Sequence, residues 1–322
     1  MLIQLADWFT DRQGYLAMVC KTSTARKFLN HLQRIEAPLL RSALFAIPAK
    51  TFFDASVEAC LLFCEFGLGQ HTYDYAVYES LDSDIHAKVG HRFGMTVRDT
   101  ITFDRLKQFY SPESGSWRSG LKHDCAGVME LHIDEDRLTN GFGEQVDIES
   151  TYLYPLIKGS SVANNRISTT SRFVIVPQSR VGESTDILKE KAPRTWQYLE
   201  SHSFHLDKRK SRIYANRPKF SVFGVGGYTF EPWKVAICGL YKKLTFRVVG
   251  PINGKPVVFD DTVYLLGFET YEEAREAHEL LISQMAQDFL LSLIFWDEKR
   301  PIKASVLNCL DLSKLRRLVF GR

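Results

Sequence analysis

Several features that would place a protein quickly are missing from this sequence. No apolar run approaches the ~18–20 residues of a bilayer span, and the amino terminus shows no leader pattern. None of the six cysteines (Cys20, Cys60, Cys64, Cys125, Cys238, Cys309) forms a CxxC pair, so a zinc site or a disulfide framework has no support. Several sit in apolar runs and read as small buried hydrophobes in a reducing, cytoplasmic setting. There is no P-loop and no GxSxG elbow, which removes the signatures of P-loop phosphate binding and of serine hydrolases. Repeats and low-complexity segments are absent too. The bulk composition, 45% hydrophobic and 25% charged over 322 residues, is that of a globular chain long enough for about two domains.

Charge of one sign is scarce in one stretch. Residues 204–246 hold two carboxylates, Asp207 and Glu231. Against them stand Lys208, Arg209, Lys210, Arg212, Arg217, Lys219, Lys234, Lys242 and Lys243, interleaved with Tyr214, Phe220, Phe223, Tyr228, Phe230, Trp233 and Tyr241. The net charge of +3 says less than this clustering. Residues 220–225 and 234–240 predict strands, with Gly224, Gly226 and Gly227 as turn material. Such a surface suits a polyanion with stackable bases. A sandwich core with a solvated basic rim fits the same pattern.

Elsewhere the pattern is α/β at first and mixed later. Residues 1–9 predict an amphipathic helix with Leu2, Leu5, Ala6 and Phe9 on one face. After Gly14, the apolar run at 15–20 predicts a strand buried on both faces of a parallel sheet. A helix over 23–36 and strands over 44–47 and 57–66 follow, which is part of an α/β sheet and not the whole of one. Residues 73–78 predict a strand, 104–110 a short helix, and 111–116 a turn cluster that reads as a domain boundary. Beyond it come a hairpin-type turn at 140–143, residues 152–158 leading into a polar loop over 159–171, a strand at 172–176, a helix over 193–201 and a strand over 257–264. Thr270 and Glu273 form a capping box. Ala274, Ala277, Leu281, Met285 and Phe289 then repeat at helical spacing to about residue 295.

Three local chemistries can be weighed. Gly224-Val-Gly-Gly227 lacks GxGxxG spacing and has no clear helix after it, so it reads as a turn between strands. Asp260 and Asp261 would point to opposite faces of a strand, and a nuclease site would need Asp297-Glu-Lys299 brought to them by folding. His123-Asp124-Cys125 contains ligand types without a second cluster, and no metal is expected.

Ordered blocks carry a family resemblance along nearly the whole chain. They are GYLAMVCKTSTARKFL (14–29), AKTFFDASVEACLLFCEF (49–66), WRSGLKHDCAGVMEL (117–131), YLYPLIKGSSVAN (152–164), APRTWQYLESH (192–202), residues 209–243, DDTVYLLGF (260–268) and DEKRPI (297–302). Together they resemble the C-terminal part of the DNA adenine-N6 methyltransferases of restriction–modification systems, in the group whose target-recognition domain is C-terminal. The resemblance implies an α/β fold. A partial Rossmann-like methyltransferase sheet over 1–110, equivalent to strands five to seven, would be followed by a mixed α+β target-recognition domain over 111–322. In the family's sheet the seventh strand lies between the fifth and the sixth, and the fourth flanks the fifth.

The same resemblance implies roles. Phe52, with Phe53 as runner-up, matches the aromatic that stacks on the extruded adenine, which must leave the duplex for its N6 to be reached; the alternative is that both are core. Lys208, Arg209, Lys210, Arg212, Lys219, Lys242 and Lys243 would neutralise phosphates of double-stranded DNA. Tyr214, Tyr228 and Trp233 would reach bases or brace the hairpin. Lys122, His123 and Asp124 would lie near the cleft between the domains. Family members carry an acidic, glycine-rich S-adenosyl-L-methionine (AdoMet) loop and an (N/D)PP(Y/W) catalytic tetrad, and neither occurs here. AdoMet binding is therefore expected only if an upstream chain or segment supplies that site, and the chain alone is expected to be inactive. A free-standing DNA-binding specificity protein and, less well supported, a nuclease are the alternatives.

Overall fold

The computed structural model describes residues 2–9, 11–112, 116–135 and 137–321. Part of the predicted boundary cluster, residues 113–115, lies outside the described residues. The chain divides into two units, Met1–Tyr110 with Gln287–Pro301, and Ser111–Ala286 with Ile302–Arg322.

The first unit contains α1 (Leu2–Trp8), β1 (Gly14–Lys21), α2 (Thr22–Arg34), β2 (Leu39–Ile47), α3 (Ala49–Phe53), β3 (Ala59–Phe66), β4 (Tyr75–Tyr78), β5 (Ile85–Arg92), β6 (Met95–Val97) and α4 (Thr100–Leu106). Its sheet runs β1-β3-β2-β4-β5-β6. β3 is antiparallel to both β1 and β2, whereas β2 and β4 are parallel. The helical spacing of Ala25, Phe28, Leu29 and Leu32 gives α2 one apolar stripe. That stripe is buried with Leu16, Leu44, Leu62 and Cys64 of the strands. α4 begins before the predicted residue 104, because the Asp99 carboxylate accepts from the Thr102 N–H at 3.1 Å and caps the helix there. Within the same unit Arg26 pairs with Asp297 at 2.7 Å, both side chains nearly buried, and Phe103 packs on Phe289.

The run at 15–20 forms its strand but is not buried on both faces. β1 is an edge strand with β3 as its one neighbour; Tyr15 is 69% and Val19 51% exposed. One face of β1 lies under α2, and nothing among the described residues covers the other.

The second unit contains the strands β7 (Arg118–Ser119), β8 (Glu130–Asp134), β9 (Arg137–Thr139), β10 (Leu153–Ile157), β11 (Arg172–Ile175), β12 (Trp233–Cys238), β13 (Arg247–Val249), β14 (Val258–Phe259) and β15 (Val263–Phe268). Its helices are α5 (Ala126–Met129), α6 (Gly159–Ala163), α7 (Ile187–Lys191), α8 (Pro193–Ser201), α9 (Ser203–Asp207), α10 (Gly227–Phe230), α11 (Tyr271–Ile282), α13 (Ala304–Leu307) and α14 (Leu312–Phe320), with α12 (Gln284–Leu291) spanning the division between units. The strands form two sheets, β14-β10-β11-β8-β9 and β13-β12-β15-β7. Val128, Leu131, Leu156, Val174, Leu199 and Val222 are among the residues of one core.

Four sequence expectations need correction. Residues 220–225 form no strand: Phe220 is left-handed (φ 61) and Phe223 makes a single bridge to Lys122. A short helix, α10, does follow the glycines, with Gly226 at its N-cap and the Thr229 hydroxyl accepting from the Gly226 N–H at 3.1 Å. The strand at 257–264 is two strands, interrupted where Asp260 turns back onto Thr262. The long helix is interrupted at Ser283, which has extended backbone (ψ 147); the Thr270–Glu273 capping box that opens it is present. No described helix is long and apolar enough to cross a membrane.

Candidate nucleic-acid interface

Phe52 and Phe53 end α3, the short helix that follows β2, and the chain then turns through left-handed Asp54 (φ 48). They are not core. Phe52 is 66% and Phe53 58% exposed, and their rings lie 6.4 Å apart. Two apolar rings held in water on one helical turn are available to stack on a flat apolar partner.

The basic stretch separates into side chains that brace the second unit and side chains that face solvent. Arg209 is a brace. Its guanidinium donates to the carbonyls of Ser221 (2.7 Å), Leu206 (2.8 Å) and His123 (3.3 Å) and lies 3.8 Å from the Tyr214 ring centre. Burial lowers its pKa. Tyr214 is held in turn, donating its hydroxyl to the Lys122 carbonyl at 3.2 Å and meeting Phe223 edge-on. Tyr228 packs against a second core of the same unit, and burial raises its phenol pKa. Trp233 packs on Tyr271.

Lys234 is no surface cation at all. It is 1% exposed, burial pulls its ammonium down to about 7, and its Nζ donates to the Glu231 carbonyl. Its place in the apolar run WKVAIC was the signal for this, since a lysine flanked by buried strand residues has no route to water.

Lys208, Lys210, Arg212, Lys219, Lys242 and Lys243 are exposed. Lys208 and Lys210 line an open groove of about 550 Å³ together with Arg209, His205, Ser211 and Asp124. Lys208 also sits 3.7 Å from the Phe204 ring centre. Lys219 pairs with Glu200 at 2.9 Å. Lys242 and Lys243 lie on the loop after β12 and are not part of the groove lining. Lys122 pairs with Asp124 at 3.2 Å beside the groove.

Behind Lys122 is a buried polar network that sequence reasoning missed. His123 Nδ1 accepts from the Cys125 N–H at 3.2 Å, which leaves Nε2 to donate to Glu130 at 3.2 Å. Lys158 reaches the other Glu130 oxygen at 2.7 Å. Burial works to raise the Glu130 pKa; the hydrogen bonds from His123 and Lys158 outweigh it and hold the carboxyl at about 2. The network anchors the residues that carry Lys122 and Asp124. No local spacing links His123, Glu130 and Lys158, so the set becomes visible only in three dimensions.

The acids considered for a nuclease are spread across both units. Asp297 is engaged by Arg26 in the first unit. In the second, Asp260 accepts from the Thr262 hydroxyl at 2.5 Å, and burial raises its pKa. Among the described residues no group of three or more His, Cys, Asp or Glu is placed to hold a metal ion.

Comparison with known proteins decides the family. The chain is 50% identical, over 320 residues, to the Type II methyltransferase M.NspV of Nostoc sp. (strain ATCC 29411 / PCC 7524), a match covering 99% of this chain and 67% of that one. This chain belongs to the Type II methyltransferases. No family model matches it. Among solved structures it is similar in fold to the Type IIL restriction-modification enzyme MmeI, determined in complex with DNA, with a TM-score of 0.53 and 14% identity over 94% of this chain. This chain spans 41% of the length of MmeI.

Proposed function

We propose that this chain supplies the target-base pocket and the DNA-reading surface of an AdoMet-dependent adenine-N6 DNA methyltransferase of a restriction–modification system. The strand order β1-β3-β2 carries the reading. If β1, β2 and β3 are the fifth, sixth and seventh strands of the methyltransferase sheet, the last in sequence inserts between the other two, as the family requires. The open edge of β1 is then where the fourth strand would pair. Residues 1–110 belong to the catalytic domain in this reading, and 111–322 to target recognition.

Phe52 stacks on the extruded adenine, with Phe53 beside it. Lys208, Lys210 and Arg212 contact phosphates, while Arg209 and Tyr214 hold the segment that presents them. AdoMet does not fit these residues alone. The carboxyl ends of β1 and β2 lead through Cys20-Lys21 and Ile47-Pro48, with no carboxylate and glycine turn to hold its ribose. Methyl transfer therefore depends on residues beyond these 322, on this polypeptide or another.

The test is Phe52→Ala in the enzyme assembled with its AdoMet-binding region. Base–aromatic stacking is worth about 1–3 kcal/mol, so adenine methylation of duplex DNA should fall by roughly 5- to 150-fold. The melting temperature should not move, because the ring is exposed. Undiminished methylation in both Phe52→Ala and Phe53→Ala would remove this pair from the base pocket.

A further inference from the structure

β1 and β3 set two cysteines directly opposite each other, Cys20 and Cys60. The phase of the ladder follows from one bond: the Thr22 N–H donates to the Glu58 carbonyl at 3.0 Å. Two residues back, Cys20 and Cys60 therefore also form a backbone-bonded pair, whose Cα atoms stand about 5.5 Å apart in antiparallel sheets. Disulfides use that spacing. Both side chains pack into one core, Cys60 within it and Cys20 against it, together with Leu16, Leu62 and the apolar stripe of α2. α2 starts two residues after Cys20, so its N-terminal end lies close to Cys20 along the chain.

We propose that Cys20 and Cys60 are a peroxide-reactive dithiol that closes reversibly to a disulfide. The inference rests on the register of the first unit and not on the proposed reaction of the enzyme. Cys20 is the attacking group. The hydrogen bond from Cys60 lowers its pKa to about 7; burial opposes this, and the Ala25 N–H assists it. Cys60 is buried, its pKa is raised by the same hydrogen bond and by burial, and it is the resolving group. The other groups that bear on the pair are Arg26 on α2, its partner Asp297, Cys64 on β3 and Tyr75 on β4. Cys64 lies opposite Leu16, not opposite Cys20.

In the first step the Cys20 thiolate attacks one peroxide oxygen and the O–O bond breaks. Hydroxide leaves and takes up a proton as water, and Cys20 becomes a sulfenic acid. In the second, the Cys60 thiol gives up its proton and attacks the Cys20 sulfur. The S–O bond breaks, and the departing hydroxide takes that proton as a second water. Two thiols are oxidised and one peroxide is reduced. The link would tie β1 to β3 at the end of the sheet where β2 passes into α3.

The experiment treats the folded chain with dilute hydrogen peroxide and maps it by mass spectrometry. The expected product has lost two hydrogen atoms, with the Cys20 peptide joined to Cys60, and dithiothreitol restores the starting mass. Cys64→Ala should keep the link. Cys60→Ala should abolish it and leave Cys20 as a sulfenic acid that dimedone traps. In the unmodified chain at neutral pH, Cys20 should react with iodoacetamide about tenfold faster than half-buried Cys125, whose pKa burial raises. An unchanged mass after peroxide, a link to any other cysteine, or Cys125 reacting first would each overturn the proposal, and none of these readings depends on a variant that must fold.

Discussion

In β12, Val235, Ala236, Ile237 and Cys238 are all buried, and the strand has β13 on one side and β15 on the other. In β1, an equally apolar run keeps Tyr15 and Val19 mostly in water, and its one neighbour is β3. A continuous apolar strand is a sequence written for cover on both faces. β12 finds that cover within this chain. β1 does not find it among the described residues, and an apolar edge of this kind is a template for another strand. The ladder phase adds a detail: because Cys20 and Cys60 are backbone-bonded, the N–H groups of Tyr15, Ala17 and Val19 point away from β3, and no other backbone carbonyl among the described residues receives them.

Proline substitution separates the two strands most sharply. Ala236 pairs with Arg247 on one side and Leu265 on the other, so Ala236→Pro should destabilise the second unit by about 3 kcal/mol or more in thermal or urea unfolding. Ala17→Pro removes an N–H that bonds no carbonyl among the described residues, so in the chain alone it should cost no more than about 1 kcal/mol. In the assembled enzyme the same change should block strand addition and suppress methylation. Equal losses of stability at the two sites would erase the distinction.

A second difference is the buried lysine of β12; the lysine of β1, Lys21, is exposed at the end of its strand. Lys234 is held at about 7 against an ordinary 10.5. Between those values the unfolded chain binds more protons than the folded one, so stability should rise as pH climbs from about 7 to 10.5. Lys234→Met should flatten that rise and stabilise the second unit by about 1–3 kcal/mol at pH 7. A variant that melts lower and keeps the pH dependence would contradict the burial described here.

The smallest effect concerns the groove. Lys210→Ala should leave stability within about 0.5 kcal/mol and lower the salt slope of duplex binding by about one. An unchanged slope would place the phosphate contacts elsewhere.

What the sequence made legible was whatever is coded locally. The helix over 193–201 and the Thr270–Glu273 capping box stand where propensity and spacing put them, and the strand expected over 234–240 is present as Trp233–Cys238. Residues 220–225 misled because their apolar content serves a packed, irregular segment with Phe220 in a left-handed turn. Asp260 and Asp261 misled because a hydroxyl two residues on, at Thr262, ends the strand that their neighbours favour. The basic stretch was legible as a composition but not as a surface: Arg209 and Lys234 count as cations in the sequence, yet one is bound to three carbonyls and the other is buried. The His123–Glu130–Lys158 network had no sequence signal, since its members come from separate elements.

The exposed edge of β1 is best tested by amide hydrogen exchange. In the chain alone, the amides of Tyr15, Ala17 and Val19 should exchange with little protection, while those of Leu16 and Met18, which face β3, are slow. Adding the AdoMet-binding region should slow Tyr15, Ala17 and Val19 by about a hundredfold or more. Protection of those three amides in the chain alone, or no change on adding that region, would contradict the account.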